Sequence, residues 1–338
     1  MKIEQIRQLA QSENTPLEIL VEIADSEDSL TRQYVASNPN TPIKILKELA
    51  EEFPKQVMSN PILDLLVLEN CSQLLGLQII VAQNPNAPAE ILDSLKNSKD
   101  MSLLKAIARN PNTPVGILYS WKNSKDISLL ESIARNPNAP AEILDFLKHS
   151  KNTFILSTIA NNSNTPAKIL FYIRDSENKF VLRAIAQNPN APAKILDSLK
   201  NSEDEFVLQA IALNGNTSPE TLTQLAKNKD KIVRQYVAWN RNTPEQALIY
   251  LANDEDVETR QYVAQNHNTP YKILDCLKSD CNRIVRSRAI STKKKKGKGG
   301  ISTLIKMLYR LAKFLFEIIF KIANTTLLFI NLCKKTLI

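Results

Sequence analysis

The chain has 338 residues, with 43 Lys+Arg against 35 Asp+Glu for a formal net charge of +8, and it carries 6 glycines and 17 prolines. The charge is uneven: setting aside the 11 basic residues and the single acidic one, Glu317, of Ser291–Ile338 leaves 32 and 34, a net of −2 over residues 1–290. A body so balanced lacks the broad basic footprint of a nucleic-acid binder, and scarce glycine beside frequent proline favours capped helices over hairpins and sheets.

The N-terminal stretch MKIEQIRQLAQSENTP spaces its apolar residues as an amphipathic helix and has no apolar core of the kind a secretory signal needs, which places the body in the cytoplasm. From Gln5 onward the chain repeats with a period of 26, and the repeats are anchored on Ser12, Asn38, Asn84, Asn110, Asn136, Asn162, Asn188, Asn214, Asn240 and Asn266. A degenerate unit, Val57–Gly76, interrupts the series and keeps only Asn60-Pro61 and a leucine run, and a half unit follows from Val285. Self-similarity at this period is the signature of stacked repeats.

Each unit holds two short apolar patterns with helical spacing, such as Leu103, Ile107, Ala108 and then Ile117, Leu118, Trp121. Between them lies N-P-N-[TA]-P. Pro111 forces Asn110 out of the α region and ends the first helix, and Asn tolerates the left-handed conformation common past a helix end. Pro114 suits the start of a second helix. Thr113 is its expected N-cap, with capping boxes at Thr15-x-x-Glu18 and Thr243-x-x-Gln246. Where Ala87, Ala139 or Ala191 replaces the threonine, Asn86, Asn138 or Asn190 is expected to supply the cap. Stacking also aligns the asparagines that open each motif in a row, whose expected work is to hydrogen-bond turn backbone between units, with a polar binding strip as the alternative.

A unit with about six apolar residues cannot bury its own face, so the predicted fold is an all-α solenoid of about eleven two-helix repeats. The unit pattern V-R-x-x-V-A-x-N-P-x-T-P, written best at Thr31–Pro42 and Val233–Pro244, resembles the leucine-rich repeat variant family over residues 5 to about 290. The resemblance implies a right-handed superhelix of alternating α and 3₁₀ helices. Central units depart from it, carrying Leu104, Leu130, Leu156, Leu182 and Leu208 in place of the family's arginine. One family member binds an iron–sulfur cluster on N-terminal cysteines; no cysteine precedes Cys71 here, so no cofactor is carried over.

Catalytic groups are sparse. His149 and His267 are the only histidines, and Asp93, Asp145, Asp197 and Asp275 recur at one helix position, as a solvated face does. The four cysteines, Cys71, Cys276, Cys281 and Cys333, have no metal-ligand spacing and read as free thiols. The expectation is a non-enzymatic protein without cofactor or metal.

The positions that vary between units mark an exposed row. Arg109, Arg135, Leu213 and Trp239 follow the Ile-Ala or Val-Ala pair, with Tyr236 and Tyr262 in the neighbouring row, and these six form the candidate protein-binding surface. Trp121 fills a core slot. Arg234, Arg260 and Arg286 recur as like charges, for which the acidic turns at Asp230, Asp254, Glu255, Asp256 and Glu258 offer internal ion pairs, with an acidic partner as the alternative.

From Ser291 to Gly300 the sequence STKKKKGKGG reads as a flexible basic linker. Residues 301–338 then gather Lys306, Arg310, Lys313, Glu317 and Lys321 in one helical stripe amid apolar residues. Such a helix lies in a membrane, associates with another copy, or packs on the body. Membrane contact is expected through Lys293, Lys294, Lys295, Lys296, Lys298, Phe314, Phe316 and Phe320. The partners expected are therefore an unidentified protein, an anionic membrane surface and, through the tail, a second copy.

Overall fold

The computed structural model describes residues 1–68 and 72–296. Among them twenty-two helices alternate in eleven pairs, followed by one further helix over residues 283–296, and there is no strand. The first helix of a pair has nine residues, from Ile3–Gln11 to Val257–Gln265, except at Pro54–Met58 (5) and Ser72–Gln83 (12). Every second helix has seven residues, from Leu17–Ile23 to Tyr271–Leu277. These second helices are α-helical, and no 3₁₀ helix occurs among the described residues, contrary to the alternation that the family resemblance implies.

The chain divides into two compact bodies, Met1–Asn216 and Thr217 onward. In the first, the first helices pack in succession, Met101–Arg109 on Ile127–Arg135 and so on to Glu205–Leu213; in the second, Lys231–Trp239 packs on Val257–Gln265. The core between neighbours is aliphatic. Leu103, Ile107, Leu118, Ile133, Leu144, Ile155 and Ile159 are each at most 1% exposed, and each contributes on the order of 2 kcal/mol by leaving water. Trp121 sits half-buried against this core, as its slot suggests.

Each regular first helix from Ser29–Ser37 on, outside the degenerate stretch, starts at an Asp or Asn that the sequence pattern did not single out. Asp126 accepts from the Leu129 amide at 2.8 Å, while Ser124 Oγ accepts from the Asp126 amide at 3.1 Å. The readable signal is Ser-x-[Asp/Asn], present at Ser98, Ser124, Ser150, Ser176 and Ser202. From Ser29–Ser37 on, each first helix except Pro54–Met58 stops at an asparagine, followed by proline at Asn38, Asn84, Asn110, Asn136 and Asn188 but by Ser163, Gly215, Arg241 and His267 elsewhere. Asn110 is extended (φ −68°, ψ 129°) rather than left-handed, and Asn162, Asn214, Asn240 and Asn266, which no proline follows, adopt the same conformation, so the turn itself needs no reversal through positive φ.

The threonine of the joint does not cap the second helix. Thr113 Oγ1 donates back to the Ile107 carbonyl, as Thr41 does to Val35, Thr165 to Ile159 and Thr269 to Val263. The expected capping boxes at Thr15 and Thr243 are absent for the same reason: those hydroxyls serve the Leu9 and Val237 carbonyls of the preceding helix. In the alanine units Asn138 does not turn inward but donates to the Pro111 carbonyl of the previous turn at 2.8 Å, and Asn190 to that of Ser163 at 2.6 Å.

The asparagine row works as predicted. Asn136, fully buried, donates from Nδ2 to the Ala108 and Asn110 carbonyls at 2.8 and 2.7 Å and accepts the Asn138 amide at 2.8 Å. Asn110, Asn162, Asn188 and Asn214 repeat this in the first body, and Asn266 in the second. Only a primary amide offers two donors and one acceptor in this geometry. The row is thus consumed internally and presents no polar strip.

At the degenerate unit no helix is lost; the deficit falls on Pro54–Met58, with five residues. Asn60 keeps its rung on the Ala36 and Asn38 carbonyls, but Asn84 bonds to those of Ala50 and Glu51, passing over the Asn60 turn. Helix Ser72–Gln83 accordingly packs on both Ile43–Leu49 and Pro54–Met58.

The linker expected from Ser291 does not start there. Position 292, where the next motif asparagine would fall, is Thr292, and the helix that begins at 283 runs on to 296. Lys293 Nζ meets the Asp275 carboxylate at 2.5 and 2.7 Å, and Lys296 Nζ donates to the Thr269 carbonyl at 2.8 Å while lying 5.0 Å from the Tyr271 ring centre. Lys298, Phe314, Phe316 and Phe320, with the tail helix they were expected to form, lie outside the described residues, as do Cys71 and Cys333.

Candidate binding surfaces

Of the six residues proposed from the sequence, three lie in each body. Arg109, Arg135 and Leu213 stand exposed at the C-terminal ends of their helices; Arg135 Nη2 pairs with Glu131, one turn earlier, at 2.6 Å. In the second body Trp239, 54% exposed, meets Tyr262 edge to face, with ring centres 5.5 Å apart and planes at 76°. Tyr236, half-buried, sits one turn before Trp239 on the same helix.

Trp239 and Tyr262 form the apolar part of a cavity of about 290 Å³. Its other walls include Arg241 and His267, which follow the motif asparagine in two successive turns where other units carry proline, and Arg288, Ser291, Thr292 and Lys295 from one face of the 283–296 helix. Residues 288, 291, 292 and 295 share that face because they follow the three- and four-residue spacing of a helix. No carboxylate lines the cavity.

Of the three recurring arginines, Arg234 and Arg260 are internally paired, whereas Arg286 Nη1 meets, among the described residues, only the Asp280 and Cys281 carbonyls at 2.7 and 2.9 Å. Arg234, with a side chain 10% exposed, donates from Nε to Asp254 (4% exposed) at 2.7 Å and from Nη1 to the Asn228 and Lys229 carbonyls. Arg260 does the same with Asp280 at 2.8 Å and with the carbonyls of Asp254 and Glu255. The carboxylate comes from the turn that follows each arginine, not from the one before it. The Asp254 hydrogen bond holds the Arg234 guanidinium above its usual range, and burial opposes it. Burial pushes the Asp280 carboxyl up, but hydrogen bonds from Arg260 and the Asn282 amide outweigh it and hold it below the ordinary carboxylate value.

A second surface escaped the sequence reading. Phe154, Phe180 and Phe206 are 72%, 64% and 56% exposed at 26-residue intervals. Phe154 and Phe180 flank a groove of about 580 Å³ in the first body with Arg183 and Gln187, and the Arg183 guanidinium lies 5.0 Å from the Phe206 ring centre. Each phenylalanine sits two residues after its N-cap, where a helical side chain points away from the stack; their 26-residue recurrence was the available signal.

His149 contacts Tyr172, with Nδ1 2.9 Å from the phenol oxygen. His267 borders the cavity described above. Cys276 and Cys281 are free and exposed, and among the described residues no cluster of three or more His, Cys, Asp or Glu is arranged to hold a metal.

No protein-family profile and no curated protein matches the chain. Among solved structures, the chain resembles a leucine-rich repeat variant. That protein, described as having a novel repetitive structural motif, is 16% identical with a TM-score of 0.43, over 71% of this chain and 87% of that one. An engineered protein is also 16% identical (TM-score 0.30, 87% and 94% covered), and a designed armadillo repeat protein in complex with the peptide (KR)4 is 12% identical (TM-score 0.14, 88% and 100% covered).

Proposed function

We propose that the protein is a non-catalytic scaffold that recognises protein partners through side chains projecting from its first helices, and that residues 301–338 attach it to the cytoplasmic face of a membrane. The observation that carries the scaffold reading is the division of labour along the repeat. Buried polar groups are spent on the ladder between neighbouring turns, whereas the exposed positions hold aromatic and basic side chains, Phe154, Phe180, Phe206 and Trp239 among them. Large rigid side chains on a frame whose buried side-chain polar atoms all have partners among the described residues suit binding, since little conformational entropy is lost on contact. Capture of partners by the full chain, compared with Phe180→Ser and Trp239→Ser variants of unchanged helicity, tests this reading; equal capture by all three defeats it.

Membrane attachment rests on the composition of the tail. No described helix is long and apolar enough to cross a membrane, and the tail lies beyond the residues described. The linker charge is smaller than its lysine count suggests, because Lys293 is paired with the Asp275 carboxylate; Lys296 keeps its charge but is held on the Thr269 carbonyl. Sedimentation with anionic vesicles should carry down the full chain but not a chain ending at Lys296. If both stay in the supernatant and the full chain is a discrete oligomer, the tail is an association helix instead.

A further inference from the structure

We infer that the cavity beside Trp239 and Tyr262 is a recognition pocket for an acidic side chain adjoining an apolar one in a partner's peptide. This gives the scaffold reading a specific site and rests on that reading for its partner class. The argument is charge complementarity. Arg241, Arg288 and Lys295 converge on one cavity, no carboxylate lines it, and none of the three has an ion pair among the described residues. Other cations of the same body do meet a carboxylate, Arg234 at Asp254, Arg260 at Asp280 and Lys293 at Asp275, the last shared with Lys278. Three like charges held together without a counter-ion raise one another's energy, and an anion entering between them relieves it.

The apolar half of the specificity comes from the aromatic pair. Trp239 leaves 54% of its surface in water, and its edge-to-face contact with Tyr262 fixes its ring plane. A volume of about 290 Å³ suits one or two side chains rather than an extended chain. That size, with the net of −2 over residues 1–290, favours a short acidic peptide over a nucleic-acid strand, whose phosphates need a continuous basic track.

The test uses the full chain on an array of short peptides built from Asp, Glu, Leu and Phe, beside a matched array with Asn and Gln in place of the acids. Peptides holding an acid next to Leu or Phe should bind about tenfold more tightly than their amide counterparts, and an Arg241→Glu/Arg288→Glu variant should lose about tenfold or more. Trp239→Ala should lose binding to a similar degree, while Phe180→Ser should retain it. The variants change exposed or half-buried side chains, so circular dichroism should show them folded. The pocket assignment is overturned if acid and amide arrays bind alike, if the double variant binds as the parent does, or if a thymidine decanucleotide binds with the same dependence on Arg241 and Arg288. Partner capture that depends on Phe180 but not on Trp239 would leave the scaffold reading standing and remove the pocket.

Discussion

The middle of the chain and its C-terminal repeats meet the same register position with opposite chemistry. In the middle, Leu104, Leu130, Leu156 and Leu182 are half-buried, and the residue that would face each from the next turn is Ser124, Ser150, Ser176 or Ser202. Toward the C-terminus the pair becomes Arg234 with Asp254 and Arg260 with Asp280. The turn itself is indifferent to the change. Ser176 Oγ accepts the Asn178 amide at 3.2 Å, and Asp254 Oδ1 accepts the Asp256 amide at 2.9 Å. A serine and an aspartate thus do the same turn-closing work, and only the aspartate can also receive a guanidinium. The two positions therefore have to change together.

The largest effect should come from splitting a pair. Arg234→Leu leaves the Asp254 carboxylate, 4% exposed, without its cation, and should cost about 3 kcal/mol in chemical denaturation. Arg234→Leu/Asp254→Ser, which writes the middle's chemistry into the C-terminal repeats, should recover most of that loss. A failure to recover would mean that the two regions differ in backbone as well as in side chains. The reverse graft sharpens the point: Leu156→Arg should destabilise, and adding Ser176→Asp should restore stability.

The ladder is common to both regions, so its loss should not distinguish them. Asn136→Ala and Asn266→Ala each remove two donated bonds from buried carbonyls and should each cost about 2–4 kcal/mol. Unequal costs would show that one region holds its turns by other means.

Acid should separate the regions more gently. Burial pushes the Asp256 carboxyl up, but the Gln235 hydrogen bond and those from Thr259 together hold it below the ordinary value, and Asp280 is held low as well. A carboxylate with a depressed folded value stabilises fully above its unfolded value, near pH 4, and loses that contribution as the pH falls through the folded value. The melting temperature of the parent should therefore fall more steeply between pH 5 and pH 2 than that of Arg260→Leu/Asp280→Ser. The smallest effect belongs to the solvent-facing Arg135–Glu131 pair, where Arg135→Ala should change stability by about 0.5 kcal/mol or less.

The sequence revealed the period, the two helices per unit, the stop at the motif asparagine and the buried asparagine row, because each follows from spacing and from constraints local to a few residues. It did not reveal which acceptor the joint threonine chooses. Spacing places the hydroxyl near two candidates, and the carbonyl six residues earlier is brought closer only by the fold of the turn. In the candidate pocket, Trp239 and Tyr262 could be picked out as aromatics in an exposed row. Their cationic neighbours could not, because Arg288 and Lys295 reach the cavity only when the last helix runs past the place where every regular unit breaks. That continuation is signalled by an absence, Thr292 where every regular unit from Asn38 on has its asparagine, and a missing stop is harder to read than a present one.

The same continuation bears on how long the stack is. A column of near-identical modules resembles a growing polymer, in which the exposed end of one molecule is a template for the start of another. Here the last regular turn is overlaid by the 283–296 helix, with Lys293 on Asp275 and Lys296 on the Thr269 carbonyl. The half unit therefore shields the last regular turn with a helix of the same chain, tied down at two lysines, so that turn is not itself an open end.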